Sequence, residues 1–243
     1  MSSFRYITAE EEGFKDSFLD RLLAAGFYRM QHIMFTCNEI VINHEGTTIP
    51  VFWLRTLVQQ YKLSRGAAII NKKCSRFNVQ IQKAYIDDEV ETLYALYKNH
   101  IQFRVSDTCA DYLHRADMPH PFNSFIMQVR DGDRLIAVGY FDKGNTAIAG
   151  ILNIYHPDYK QYSLGKFLIL KKLEYALSHD MMFYYTGYIS TESTRFDYKI
   201  FPDAKAVEVL LPVKQQWMPY HLLNKDFLAA YYTRFLQESK EAL

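Results

Sequence analysis

Between residues 123 and 188 the order of apolar, turn and helix-opening residues admits few topologies. Residues 123–130 alternate as a strand, Asp131-Gly132-Asp133 reads as a hairpin turn, and 134–142 returns with Leu135, Ala137, Gly139 and Phe141 on one face. Lys143-Gly144-Asn145 makes a second turn into a long strand over 146–156. A loop then reaches Ser163-Leu164-Gly165, which opens a helix of about 15 residues, and 182–188 is a further strand. In that helix Leu164, Leu168, Leu173, Ala176 and Leu177 are expected to face inward, with Lys171, Lys172 and Glu174 outward. A strand that follows a crossover helix is expected to run parallel to the strand before it. The result is an α/β chain with a mixed, largely antiparallel sheet flanked by helices.

Upstream, residues 14–25 place Phe14, Phe18, Leu22 and Ala25 at helical spacing, and Gly26 ends the run. Extended segments follow over 27–43, 48–58 and 76–86, with His44-Glu45-Gly46 as a turn. Residues 87–103 read as a helix, with Asp87, Asp88 and Glu89 at its positive end and a stripe of Val90, Leu93, Tyr94, Tyr97 and Ile101. We expect a small N-terminal α+β subdomain over 1–84 and a larger domain over 85–243, with no internal repeat.

The net charge of +1 hides an uneven distribution. Residues 46–86 hold no Asp or Glu but carry Arg55, Lys62, Arg65, Lys72, Lys73, Arg76 and Lys83; this +7 segment leaves −6 for the remainder. Such a stretch suits a phosphate-rich ligand such as RNA, provided that it forms a surface near the helix start at 163–165. The alternative is a basic segment balanced in space by distant acids. The 19 Tyr and 17 Phe require large aromatic surfaces to be buried or to line a site. Cys37, Cys74 and Cys109 are odd in number and widely spaced, so reduced buried thiols are expected rather than disulfides or zinc ligands. Histidines at HxxxH or HExxH spacing are absent, and no metal is assigned. Neither a signal-like N-terminus nor a membrane-length apolar run is present, which leads us to expect a cytoplasmic protein.

Three meander strands, a crossover helix and a further strand resemble the core of the GNAT acyltransferase fold, in which the acyl donor lies against the helix N-terminus. The acetyl-CoA signature [Q/R]xxGx[G/A] is not met by Gln161-Tyr162-Ser163-Leu164-Gly165-Lys166. A more specific resemblance runs through Asp142, Tyr155 with Pro157, Ser163-Leu164-Gly165, Tyr185-Thr186-Gly187-Tyr188-Ile189, Tyr198-Lys199 and Phe201-Pro202. Upstream it adds Gly26-Phe27-Tyr28-Arg29 and Leu93-Tyr94…Leu96-Tyr97…Arg104, and downstream Trp217. In this order the motifs are similar to those of the aminoacyl-tRNA–protein transferases, the arginyl and leucyl transferases of the N-degron pathway. The chain departs from that pattern in keeping only Cys37 of the N-terminal Cys pairs, and in having Val105 for a His and His156 for an Asp.

The resemblance implies transfer of an aminoacyl group, Arg or Leu, from charged tRNA to a protein or peptide N-terminal amine. Aminoacyl-tRNA is then a co-substrate, and no cofactor is expected. Ser163, Leu164 and Gly165 would serve the donor's terminal nucleotide or the oxyanion through helix N–H groups, with Tyr185 and Gly187 beside them. Asp142, Tyr188 and Lys199 are the catalytic candidates, Asp142 ahead of Glu174 and Asp197 among the carboxylates. Arg55, Arg65, Lys72, Lys73 and Arg104 are the candidates for tRNA phosphates. His156, in the turn before the donor helix, is a group that could titrate near neutrality. Two alternatives stand beside this reading: an acetyl- or acyl-CoA-dependent N-acyltransferase on the same fold, and a non-catalytic RNA- or peptide-binding protein that kept the scaffold.

Overall fold

The computed structural model describes residues 4–8, 13–43, 45–101, 105–113, 120–212 and 214–241. In chain order the elements are β1 (Arg5–Thr8), α1 (Asp16–Ala24), β2 (Tyr28–Met30), β3 (Ile33–Thr36), β4 (Glu39–Val41), β5 (Thr48–Pro50), β6 (Phe52–Leu57), α2 (Arg65–Lys73), β7 (Asn78–Lys83), α3 (Asp88–His100) and α4 (Ala110–Leu113). They continue with β8 (Ser124–Asp131), β9 (Arg134–Lys143), β10 (Ala147–Tyr155), α5 (Leu164–Ser178), β11 (Phe183–Ile189), β12 (Val207–Leu211), β13 (Gln216–Pro219) and α6 (Lys225–Glu241). Short 3-10 helices at Pro157–Tyr162 and Thr194–Lys199 flank the α5–β11 unit.

An eight-stranded sheet in the order β13-β12-β6-β11-β10-β9-β8-β7 forms the centre. The expected meander β8-β9-β10 is antiparallel, and β11 pairs parallel to β10 across the α5 crossover. The boundary expected after residue 84 falls between β7 and α3, while β6 and β7 from one side share the sheet with β8–β13 from the other. The acid-free segment holds a helix as well as strands: Ser64 caps α2 by accepting from Ala67 N–H. The Asp87 carboxylate caps α3, accepting from Val90 N–H at 2.9 Å.

The two faces of the sheet are covered by different helices. Val138, Tyr140 and Ile154 pack with Val90, Leu93 and Tyr94 of α3. Phe141, Ile148 and Tyr184 pack instead with Ile169, Leu173 and Ala176 of α5. On the α3 side, α1 closes a third cluster through Leu19, Leu22 and Leu23 against Tyr28, Trp53 and Tyr185. The burial of these clusters is what holds the sheet between its helices. All three cysteines are buried and unpaired. Among the described residues no helix is long and apolar enough to cross a membrane.

One helix assignment is corrected. Lys172, expected on the outer face of α5, is fully buried, whereas Leu177, expected inside, is 37% exposed. Space for the lysine is made by Gly139 of β9, where a Cβ would stand only 3.0 Å from Lys172 Cε.

Candidate active site in a split sheet

The β10–β11 ladder contains three residue pairs, Ala147–Phe183, Ile148–Tyr184 and Ala149–Tyr185. Beyond it both strands continue, each hydrogen-bonded to its outer neighbour alone: β10 to β9 and β11 to β6. Both are irregular at the point of separation, with register shifts between Gly150 and Leu152 and between Tyr185 and Gly187. A bulge re-aims the strand and ends pairing, and the two together open a gap in the interior of the sheet. Backbone groups facing such a gap need partners from a ligand or from water.

A cavity of about 580 Å³ fills this gap. Gly150–Asn153 and Tyr184–Tyr188 flank it without Tyr185, and Tyr28, Trp53 and Tyr94 wall it on the α3 side. Ser163, Leu164, Gly165 and Lys166 bring the start of α5 to its rim, with Lys160 beside them. Ser163 makes no side-chain capping bond to α5 and has a left-handed backbone (φ 54°, ψ 46°). Its carbonyl accepts from Lys166 and Phe167 N–H. The Leu164 and Gly165 N–H groups therefore lie in the first turn with no intrahelical acceptor, at the positive end of the helix dipole.

Lys199 ends the 3-10 helix Thr194–Lys199 and reaches into the cavity. Its amine donates to Tyr188 carbonyl at 3.1 Å and lies 4.2, 5.0 and 5.9 Å from the ring centres of Tyr188, Phe196 and Tyr198. Burial among these rings pulls its pKa down to about 7. Gly187 makes the approach possible: its φ is +104°, and a Cβ there would meet Lys199 Nζ at 3.0 Å.

Of the catalytic candidates, Lys199 and Tyr188 share the cavity, while Asp142 does not reach it. Asp142 is fully buried and paired with Arg29 at 2.8 Å, both side chains being 1% exposed. Ser124 Oγ also donates to Asp142. Arg29 borders the cavity, but its guanidinium is engaged by Asp142, Ser124 Oγ and the Gln31 and Leu113 carbonyls, and lies over the Phe122 ring. The acid thus orders the cavity wall rather than facing a ligand. Glu174 pairs with Lys171 at 2.7 Å and Asp197 with Lys225 at 2.9 Å. His156 is buried and caps the 3-10 helix Pro157–Tyr162; burial and Arg134 hold its pKa below the usual range.

Of the donor-site candidates, Ser163, Leu164, Gly165 and Gly187 line the cavity. Tyr185 is instead buried beside Tyr28, Trp217 and Phe183. Tyr184 and Tyr188 line the gap in its place.

The basic candidates separate in space. Arg55 pairs with Glu208 at 2.7 Å and lies between the rings of Phe183 and Trp217, so it is a structural cation. Arg76, too, is taken by Asp131. Arg65 and Lys72 are exposed on α2, and Lys73 donates to Gln161 carbonyl, two residues before Ser163. Gly66 of α2 faces Phe201, over which Lys166 also lies at 4.5 Å. The half of the basic segment carried by α2 therefore adjoins the cavity rim, and the half carried by β6 and β7 does not. Arg104 lies outside the described residues. Sequence reasoning gave no role to Trp53, Asn153, Tyr184 or Lys172, which the split sheet brings together at or behind the cavity.

A gap in the sheet, a helix N-terminus and an amine of lowered pKa thus meet on one cavity. Residues 89–203 match the sequence model described as "Arginine-tRNA-protein transferase, C terminus". The chain is 28% identical over 137 residues to an aspartate/glutamate leucyltransferase of Acinetobacter baylyi, covering 54% of this chain and 51% of that one. To arginyl-tRNA–protein transferase 1 of Arabidopsis thaliana it is 25% identical over 218 residues, covering 74% and 34%. To an aspartate/glutamate leucyltransferase of Shewanella sp. (strain MR-7) it is 26% identical over 204 residues, covering 79% of each. The first two alignments span about half and a third of those relatives' lengths. Among solved structures, FemX overlaps with a TM-score of 0.42 at 10% identity, covering 80% of this chain and 65% of that one. L-PGS from Bacillus licheniformis overlaps with a TM-score of 0.41 at 9% identity, covering 72% and 50%. At that level of overlap we assign no fold from them.

Proposed function

We propose that the chain is an aminoacyltransferase of the GNAT type that moves an aminoacyl group from charged tRNA to the N-terminal amine of a protein or peptide. The observation that carries this is the placement of Lys199 and the start of α5 on the one cavity that fills the split between β10 and β11. In this reading the tRNA 3′ end lies at the Leu164 and Gly165 N–H groups, and the exposed cations of α2 meet the phosphates behind it. The incoming amine attacks the ester carbonyl and forms the new C–N bond. Lys199, its pKa drawn down to about 7 by burial, takes the proton that the amine loses. The helix N–H groups stabilise the oxyanion. Collapse breaks the bond to the ribose oxygen, which leaves with a proton, so the exchange of ester for amide balances without any cofactor.

The cavity walls also bear on which group is transferred. Among its described lining residues there is no Asp or Glu, but there are many aromatic rings and several lysines. An arginyl side chain would bring a guanidinium into this space with no carboxylate to meet it. The walls favour an apolar aminoacyl group such as leucyl. The place of such a reaction is the cytoplasm, where charged tRNA is available.

The test is incubation with a mixture of charged tRNAs and peptides bearing varied N-termini, read by mass spectrometry. A mass increment of one residue is expected; no increment on any peptide, with folded protein and intact charged tRNA, overturns the reading.

A further inference from the structure

Lys172 is 0% exposed, and no acidic residue forms an ion pair with it among the described residues. Burying an amine in this way is costly, and a leucine in an otherwise apolar stretch of α5 would avoid the cost. Its surroundings are nonetheless specific. Lys172 Nζ donates to Tyr140 carbonyl at 2.8 Å and to Asn153 Oδ1 at 2.7 Å. Asn153 stands opposite Gly139 in the β9–β10 ladder, and a Cβ on Gly139 would meet Asn153 Oδ1 at 2.8 Å and Lys172 Nζ at 3.1 Å. The glycine therefore leaves room for this one hydrogen bond.

Asn153 lies on the stretch of β10 beyond the last β10–β11 pair and lines the cavity. A carboxamide can present either its oxygen or its NH2 group, and a strand alone does not decide which. The ammonium form of lysine can only donate, so whenever Lys172 is charged the Asn153 oxygen must face it, as it does in the structure. A neutral amine has two N–H groups and an ammonium three, so both acceptors are satisfied in either state. The NH2 group is left for the cavity, and among the described residues it makes no hydrogen bond to protein.

We propose that Lys172 is a positioning residue that holds the Asn153 amide with its NH2 group toward the cavity, where it donates to the acyl carbonyl of the bound substrate. This rests on the aminoacyl-transfer reading above. Lys172 touches no substrate; it fixes the polarity of the residue that does. Asn153 then acts from strand β10.

The experiment compares Lys172→Met, Asn153→Leu and the double variant, using leucyl-tRNA and a peptide acceptor shown to be modified by the wild type. Each single variant is expected to lower kcat about 10²-fold, with KM for leucyl-tRNA within a factor of about two. The double variant is expected to be no worse than Asn153→Leu, because both changes remove one donor. Lys172→Met is expected to melt no lower than the wild type. A Lys172→Met enzyme with wild-type kcat, or losses that multiply in the double variant, overturns the proposal. If the wild type itself transfers nothing, the aminoacyl-transfer reading has failed, and a crystal structure of Lys172→Met decides separately. A rotated Asn153 amide supports the positioning role, and an unmoved one overturns it.

Discussion

Lys199 Nζ lies 4.2 Å from the centre of the Tyr188 ring and donates to the carbonyl of that same residue. One tyrosine thus supplies both an aromatic wall against the amine and the acceptor that orients it. With the pKa drawn down to about 7, the neutral form carries the lone pair that a proton acceptor needs. The transfer rate is expected to rise about tenfold per pH unit below 7 and to level off above it. Lys199→Arg, permanently charged, is expected to be inactive while folded. Lys172→Met should keep the wild-type midpoint despite its lower rate. Initial rates between pH 5.5 and 9 check all three; a flat profile removes Lys199 from the role.

Stability follows a different pH window. Lys172, held at about 7 in the folded chain, has an amine of about 10.4 once unfolded. Between these values the unfolded chain binds a proton that the folded chain lacks, so stability rises with pH from about 7 to about 10 and is flat below. The slope is about 1.4 kcal/mol per pH unit for one proton. Urea unfolding of the wild type and Lys172→Met at pH 7 and 9 should show that slope diminished in the variant.

The Arg29–Asp142 pair is expected to act on stability and only through it on activity. Removing either partner leaves a buried charge, so Arg29→Met or Asp142→Asn should cost about 3–5 kcal/mol. Arg29→Met combined with Asp142→Leu should recover much of the loss. Denaturation midpoints of the three variants measure this. Were Asp142→Asn fully folded at low temperature but inactive, Asp142 would have a chemical role that its position off the cavity does not suggest.

Gly187→Ala joins two penalties, a side chain at φ +104° and a Cβ 3.0 Å from Lys199 Nζ. The strain alone is of order 1–3 kcal/mol. Loss of transfer is expected even where the variant is folded, since Lys199 must move, and thermal melting together with rates at 20 °C separates the two effects.

Arg65→Glu with Lys72→Glu tests the α2 surface without touching Lys73, whose amine is tied to Gln161 carbonyl. Binding of tRNA should weaken, and the slope of log K against log salt should fall by about 1–2. An unchanged slope places the tRNA elsewhere.

Much of the central architecture could be read from local patterns because its signals are local. Asp131-Gly132-Asp133 closes a hairpin, Asp87 caps α3, and the turn residues before Ser163 announce α5. The insertion of β6 between β11 and β12 has no such signal, since it depends on pairing between residues more than 120 positions apart. At the site, strict alternation along β11 sets Tyr185 and Tyr188 on opposite faces, but one inserted residue shifts the register and packs both against one cluster, and only Tyr188 of the two lines the cavity. Lys172 was hidden for another reason: in Leu170-Lys171-Lys172-Leu173 neighbouring lysines look equally solvated, and only Gly139, on a different strand, reveals which one enters.

The early end of the β10–β11 ladder has a mechanical meaning. Three rungs join a half-sheet of β7 to β10 to a half-sheet of β11 with β6, β12 and β13. The molecule is built like a clothes peg, sprung at residues 147–149 and 183–185 and open where the two strands diverge. Whatever bridges the open end completes the cross-links that the chain itself omits and couples the two halves into one stiff body. The amides of residues 150–153 and 186–188 should therefore exchange with solvent faster than their central position implies, and slow when the cavity is filled.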